Sequence, residues 1–482
     1  MTSKQHLDAL TQLLGPDGLI CPGESMSAYM DEQRGLYAGR LAMAVARPQS
    51  TQAVANVVAY CQSHDLAIIP RGGNTGLCGG AAPGEVLSGE TPTAIVLSLE
   101  RLNQIRQVDA DNFSLTAEAG CTLSAVQNAA ADVDRLFPLS YAAEADCQIG
   151  GNLATNAGGM NVVRYGNARD LALGLEVVLP DGQIWEGLRG LRKDNSGYDL
   201  KDLFIGSEGT LGIITAATLK LFPAVRERAT AIVGLDSAAA AVALFGVLRR
   251  ESGDTITSCE LMARRALEYA VCYGKDCAEP LPAHYPWYLL VELSTSAEEA
   301  YLGRRLERAL AAAPAGIGDY QIADDTTQAA DFWRLRNTIP SAQKGAGASI
   351  KNDISVPIAA MPEFLDTASA RVQAACPGVL VCPFGHIGDG NLHFNLTQPA
   401  HLSAEDFLAQ WDTLSQEVHD VAMTYRGSFA AEHGIGQLKP TEVGRLKDPV
   451  EQSLMRTLKN AFDPKQCMNP GKVVPPLTNR RR

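Results

Sequence analysis

PRGGNTGLCGG, residues 70–80, carries five glycines in eleven residues, with Arg71, Asn74 and Thr75 between them. Glycine tolerates positive φ and close backbone approach, so successive N–H groups of such a loop can line an anion. The spacing is not GxGxxG, and no Lys follows as in GxxxxGK[ST], so neither a Rossmann nor a P-loop site is expected. Two more loops of this kind follow, CQIGGNLATNAGGM (147–160) and IGSEGTLGII (205–214). One such loop alone reads equally well as a tight turn. Three together suggest an extended ligand wrapped by backbone, and FAD fits, with its pyrophosphate and polar ends.

Around the first loop the pattern is strand, helix, strand. Ser50 is a candidate helix cap, Val54, Val57, Val58 and Cys61 make a helical stripe, and LAIIP (66–70) is a short buried strand entering the loop. TAIVLSL, FSLTAEAGCTL, LGLEVVLPDGQIWEG and GIITAATLKLFP are β-rich, with Gly, Pro and Asp-Gly punctuation. The expected organisation is an N-terminal helix and lead-in (1–40), then an α+β domain over 41–222. Beyond Pro223, AAAAVALFGVLRR and SAEEAYLGRRLERALAAA read as helices, and PWYLLVELS and VLVCPFG as strands. That alternation suits helices on an antiparallel sheet, placed at 223–430. Residues 431–482 form a closing segment whose helix ends at Asp463-Pro464.

At 482 residues the chain is too long for one core. No apolar run approaches the roughly 18 residues a membrane helix needs, and the start lacks a signal-peptide pattern, so no integral membrane segment and a cytoplasmic location are expected. A net charge of -13 argues against general nucleic-acid binding, and the tail Arg480-Arg481-Arg482 is too short to reverse that. The 11 cysteines form no CxxC pair and read as reduced thiols.

The second concentration of chemistry lies near the C-terminus. PFGHIGDGNLHFN (383–395) and AEHGIG (431–436) hold three of the chain's eight histidines, His386, His393 and His433. On one continuous strand the seven-residue separation of His386 and His393 would put them on opposite faces. The intervening Gly388-Asp389-Gly390 is a turn signal that can bring the rings together. Two imidazoles with the distant carboxylate Glu432 suit a divalent ion such as Zn or Mn. Asp389 competes as a ligand, though Asp-Gly in a turn has a structural explanation, and a lone histidine is more often simply packed.

The three loops, with EAGCTL (118–123) and LGLEVVLPDGQI (173–184), resemble the FAD-binding domain of the vanillyl-alcohol oxidase/p-cresol methylhydroxylase superfamily. The resemblance implies an α+β fold, with a two-subdomain FAD-binding domain and a substrate (cap) domain on an antiparallel sheet. It implies that Arg71, Gly72, Gly73, Asn74, Thr75, Gly76, Gly79 and Gly80 cradle the pyrophosphate. Pro138, Leu139, Ser140, Gly150, Gly151, Asn152, Asn156, Ala157 and Gly159 would lie along the flavin, with Glu208, Gly209, Gly212, Ile213 and Ile214 from the third loop. None of these loops contains a His, so non-covalent FAD is implied.

HIGDGNLH and EHGIG extend the resemblance over about 40–475, to the FAD-linked D-2-hydroxyacid dehydrogenases. That group includes dehydrogenases of D-2-hydroxyglutarate and D-lactate and the glycolate oxidase flavin subunit. It implies that His386, His393 and Glu432 bind a divalent metal, His433 is the base near the flavin and Asn395 contacts substrate. WRLRNTIPSAQKGAGASIKNDISVP (333–357) is similar to the D-2-hydroxyglutarate branch, whose Arg and Lys on the substrate carboxylates match Arg336 and Lys351. Read without the resemblance, Arg336 is a surface helix charge and Lys351 a solvated strand edge. The branch can carry Thr four residues after the Arg; this chain has Pro340, which removes a hydroxyl contact.

The expected function is oxidation of a D-2-hydroxyacid, D-2-hydroxyglutarate first, by metal-assisted hydride transfer to flavin N5. Alternatives are a D-lactate, D-malate or glycolate dehydrogenase, and, from another class, a non-catalytic FAD-binding electron-transfer subunit. The electron acceptor is left open among electron-transfer flavoprotein, a quinone and a cytochrome, and a homodimer is a family expectation.

Overall fold

The computed structural model describes residues 1–482 except 24–25, 38–39, 85–92, 299, 314 and 476–482, so the basic tail 480–482 lies outside the described residues. The chain divides into two units. One comprises Met1–Ala157, Asn167–Pro223 and Glu432–Arg482; the other comprises Gly158–Gly166 and Ala224–Ala431.

The first unit holds two larger sheets and a two-stranded one that pairs Phe222–Pro223 with Arg135–Leu136. In the four-stranded sheet, Leu19–Ile20, Ala44–Ala46, Ala94–Ser98 and Ala67–Arg71 lie in that order, the last three parallel. The helix Thr51–Ser63 makes the crossover from the second of these to the fourth. Ser50 caps it by accepting from the N–H of Ala53, and Val54, Val57, Val58 and Cys61 are buried, as the spacing predicts. Together with Ile68, Ile95 and Leu97 they form one apolar core. The second sheet is antiparallel, ordered Ile105–Asp109, Ser114–Glu118, Ile213–Lys220, Ala172–Val178, Ile184–Gly187. The first glycine loop leaves strand Ala67–Arg71, and the third runs into strand Ile213–Lys220.

The second unit is built on an antiparallel sheet ordered Ile317–Ile322, Glu227–Leu235, Trp287–Thr295, Ile256–Ala263, Leu380–His386, Asn391–Thr397, Ser349–Ile350, with Asp353–Ser355 also paired to Asn391–Thr397. Strand periodicity of two gives this sheet two unlike faces. Cys259, Leu261, Leu289, Val291, Leu392, Phe394 and Leu396 face a core shared with the helices Ala238–Ser252, Leu302–Ala311, Met361–Ala375 and Trp411–Thr424. Each of these side chains stabilises the fold by roughly 1.5–3 kcal/mol on burial. On the other face Ile232, Tyr288, Leu290, Met262, Cys382 and Phe384 pack under Arg264–Tyr273 and Thr326–Ala342. The same face also carries Glu260, His386, His393 and Asn395, which alternate with the buried apolar residues.

Candidate functional site

In the first unit, close backbone approach brings the three glycine loops together. A Cβ on Gly73 would lie 1.9 Å from the carbonyl oxygen of Asp146, which immediately precedes the second loop, and one on Gly209 of the third would lie 2.3 Å from Cγ of Pro70. Neither position accepts a larger residue without displacing backbone or the Pro ring. The second and third loops are joined by the N–H groups of Gly206 and Glu208, which donate to Leu153 (3.0 Å) and Ala154 (2.8 Å).

Segments outside the loops buttress them. The Arg71 guanidinium donates to the carbonyls of Ala28 (2.7 Å) and Tyr29 (3.0 Å), and the Asn74 amide to that of Asp31 (2.8 Å). The lead-in at 28–31 is therefore part of the cradle, which sequence reading missed. The cradle fits a dinucleotide. A Cβ on Gly76 or Gly151 would meet no heavy atom within 4 Å. The amide nitrogen of Asn152 and the amide oxygen of Gln148 are buried with no hydrogen-bond partner among the described residues. Such atoms call for a polar ligand. Tyr141 donates to Asn152 Oδ1 (2.5 Å); burial first, then Cys147, holds its phenol far above the ordinary range. The end of the second loop, Gly158–Met160, falls in the other unit, Gly159 among it.

Glu208 does something its place in a glycine loop did not reveal. Its buried carboxylate accepts the N–H groups of Ile435 (2.7 Å) and Gly436 (2.8 Å), two and three residues after His433. Burial pushes this carboxyl up, against the pull of those N–H groups and of Lys439 and Lys472. Gln437 N donates to the Cys78 carbonyl (3.0 Å), and the Asn469 amide to the carbonyls of Glu208 (2.7 Å) and Gly80 (3.1 Å). The closing segment is thus stitched to the first and third loops, which fixes the path of the chain through residue 433. The side chain of Glu208 is spent on protein N–H groups, and its own N–H and carbonyl on Ala154 and Asn469, so its role is to hold these segments in place.

In the second unit the turn between His386 and His393 forms as the Gly-Asp-Gly signal predicts. The two strands are antiparallel, with Phe384 opposite His393. His386, two residues beyond Phe384, therefore shares its face with His393, and the rings lie 5.6 Å apart at 79°. Each histidine also faces a carboxylate across the sheet. Glu260 is the cross-strand partner of His386, and Asp353 that of His393. Glu260 Oε1 lies 2.5 Å from His386 Nδ1, and Asp353 Oδ1 lies 3.7 Å from His393 Nδ1. A carboxylate only accepts, so the His386 nitrogen that faces Glu260, Nδ1, carries a proton, and Nε2 is the ring nitrogen that would meet a cation. This donor set, histidines backed by carboxylates, fits a divalent cation of the Zn or Mn type.

Arg336 is 6% exposed and not the surface charge its sequence context allowed. Its helix, Thr326–Ala342, buries Phe332, Leu335 and Ile339 on the stripe that includes Arg336. Its Nε donates to Glu260 Oε2 at 2.7 Å, and its guanidinium lies 5.2 Å from the Phe384 ring centroid. Burial pushes the Glu260 carboxyl up, but the charges of Arg336 and His386 outweigh it and hold the group at about 2. Asn395 is oriented by Gln343 (3.0 Å), itself tied to Thr397 (2.9 Å). Lys351 is half-buried, between two short strands that pair with Asn391–Thr397. Ala431, whose N–H donates to the Asp353 carbonyl at 3.3 Å, ends this unit. Glu432 follows it by one Cα step, about 3.8 Å.

Sequence reading missed Glu260 and Asp353. A signal for the first exists: it is the one charge in ITSCELMA, a strand otherwise apolar or small and buried throughout.

Residues 42–187 match the family model described as FAD binding domain, and residues 224–473 the one described as FAD linked oxidases, C-terminal domain. The chain is 38% identical over 433 residues to D-2-hydroxyglutarate dehydrogenase of Xanthomonas citri pv. viticola, covering 89% of each chain. It is 36% identical to the mitochondrial D-2-hydroxyglutarate dehydrogenase of Bos taurus, covering 89% of this chain and 76% of that protein. The solved structure of p-cresol methylhydroxylase with substrate bound has the same fold, with a TM-score of 0.74 at 18% identity over 99% of this chain and 97% of that one. These likenesses bear out the α+β fold with an FAD-binding domain and an antiparallel substrate domain. Among the described residues no helix is long and apolar enough to cross a membrane. The protein is an enzyme that uses FAD, and the chain belongs to the FAD-linked D-2-hydroxyacid dehydrogenases.

Proposed function

We propose that this enzyme oxidises D-2-hydroxyglutarate to 2-oxoglutarate, with non-covalent FAD and a divalent cation held by His386, His393 and Glu432. The observation that carries this reading is the polar patch on one face of the second unit's sheet. A histidine suited to a cation and an arginine suited to a carboxylate share one buried acid, Glu260. When bound, the cation would supply Lewis-acid polarisation of the substrate's hydroxyl and carboxylate, and the flavin would supply the hydride acceptor. The chain's own residues do the rest. His433, on a segment whose path Glu208 fixes, takes the hydroxyl proton. Arg336 and Lys351 hold the carboxylates and orient the α-carbon. Asn395, itself held by Gln343, hydrogen-bonds the substrate. Two cations match a dicarboxylate; a monocarboxylate such as D-lactate or glycolate needs one.

The domains serve this chemistry as 41–222 for FAD and 223–430 for substrate, with 431–482 bringing Glu432 and His433 to the flavin. Electrons leave to an acceptor such as electron-transfer flavoprotein or a quinone. A homodimer and a cytoplasmic location belong to the same proposal; size-exclusion chromatography with light scattering tests the first, and fractionation the second.

The deciding experiment is anaerobic titration of the metal-replete protein with D-2-hydroxyglutarate, following the visible flavin band. Bleaching by the D and not the L isomer is expected. Bleaching by D-lactate, D-malate or glycolate alone would overturn the substrate assignment, and a band that no hydroxyacid bleaches would favour an electron-transfer subunit. His433→Ala is expected to keep its flavin and lose flavin reduction by about 10²–10⁴-fold. His386→Ala is expected to lose metal, read by elemental analysis.

A further inference from the structure

We propose that Glu260 is the positioning residue that couples the two arms of the site, and so determines preference for a dicarboxylate over a monocarboxylate substrate. The inference deepens the reading above and rests on it. Glu260 is 0% exposed, and each of its oxygens serves a different arm. Oε1 faces Nδ1 of His386 at 2.5 Å, and Oε2 accepts from Nε of Arg336 at 2.7 Å.

The two partners come from distant parts of the chain. His386 stands opposite Glu260 across the sheet, whereas Arg336 reaches it from the overlying helix. Phe384 lies under the guanidinium, so Arg336 is held by an acid on its edge and a ring on its face. Nε is the guanidinium's inner edge. Committing it to Glu260 leaves the two Nη groups as the outward fork that meets a carboxylate in bidentate fashion. Committing Nδ1 of His386 likewise fixes the tautomer and aims Nε2 at a cation. One carboxylate therefore sets the distance between the cation end of the substrate and its far end.

A role in stability alone does not account for this residue. A buried ionic cluster is often no more stabilising than apolar side chains of the same volume. The neighbours of Glu260 on this face include Met262 and Phe384, which belong to such an apolar cluster. The strand would stay buried with an apolar residue at 260. What it would lose is the common anchor of His386 and Arg336.

The test is Glu260→Gln, purified with flavin and compared with wild type. The amide keeps the shape but cannot accept from both partners. Metal affinity of the flavin-loaded protein, titrated with Zn or Mn, is expected to fall about 10- to 100-fold. At saturating metal, the kcat/KM ratio of D-2-hydroxyglutarate to D-lactate is expected to fall about tenfold, mainly through KM for the dicarboxylate. A purely structural role would lower melting temperature and leave both quantities in place. Unchanged metal affinity together with an unchanged substrate ratio overturns the proposal. A loss in only one of them overturns the coupling.

Should Glu260→Gln fail to fold, the double variant Glu260→Gln with Arg336→Met removes the orphaned charge. Its metal affinity is expected to stay low, while Arg336→Met alone keeps metal and loses dicarboxylate preference; a double variant that binds metal as wild type does overturns the proposal. His386→Ala, run in parallel, separates the two levels of the argument. Metal retained in His386→Ala overturns the metal-site reading itself. Metal lost there but retained in Glu260→Gln overturns only the role of Glu260.

Discussion

Glu208 and Glu260 are buried carboxylates, one in each unit, and they are held in opposite ways. Glu208 accepts two backbone N–H groups, those of Ile435 and Gly436. Glu260 accepts from two cationic or ring side chains, those of Arg336 and His386. Backbone dipoles offset only part of the cost of burial, so the Glu208 carboxyl is pushed up; full charges overcome that cost, so Glu260 is held at about 2. The difference shows what each group can position. A carboxylate bound to amides fixes where the chain runs, here past His433. A carboxylate bound to side chains fixes where functional groups point.

That contrast can be broken from either side. The largest effect is expected for Glu208→Ala, which orphans two N–H groups in the interior. The cost is about 2–5 kcal/mol, from the usual penalty for each unmade hydrogen bond. It should register as a lower melting temperature and as a fall in kcat when the path of His433 loosens. A variant that keeps wild-type melting temperature and kcat would show that the segment 432–437 is held by other contacts.

Lys472 sharpens the comparison, because it is one of the two lysines, with Lys439, whose charges act on Glu208. Its amine is buried and donates to the Ala82 carbonyl at 3.0 Å. Burial first, then Arg40, lowers it to about 8, against the opposing pull of Glu208. A depressed folded-state value means the unfolded chain binds the extra proton between about 8 and the ordinary lysine range, so stability rises with pH across that window and is lost as pH falls through about 8. Lys472→Met removes this dependence. The melting difference between variant and wild type should change by at most about 3 kcal/mol between pH 7 and pH 10. A difference constant with pH would mean that the amine is not desolvated.

The smallest effect concerns the side-chain arm. Pro340 lies inside helix Thr326–Ala342, four residues after Arg336, and has no N–H for the Arg336 carbonyl. Pro340→Thr restores that donor and a hydroxyl on the same helix turn. Stabilisation of about 1 kcal/mol is expected, less than the full interior penalty because the helix ends two residues later. KM for D-2-hydroxyglutarate should fall, with D-lactate little changed; an unchanged KM would place the hydroxyl away from the substrate.

Much of the site was legible because its signals are local. Gly388-Asp389-Gly390 announces a turn, and the period of two puts His393 and Asn395 on one face. Whether His386 joins that face depends on strand register, and Phe384 opposite His393 decided it. Arg336 looked like a helix surface charge because a single charge carries no sign of what lies above it. Only packing against Phe384 and Glu260 turned it inward.

The sequence by itself determined where the backbone must bend and which faces are apolar: the three glycine loops, the Ser50 cap, the hairpin at 387–390. These follow from φ preferences and side-chain periodicity, which act over a few residues. Tertiary structure alone decided which polar groups meet. Glu208 reaches Ile435 across 227 residues, and Glu260 reaches His386 across 126. Such pairings depend on sheet order and register, which no short window of sequence encodes.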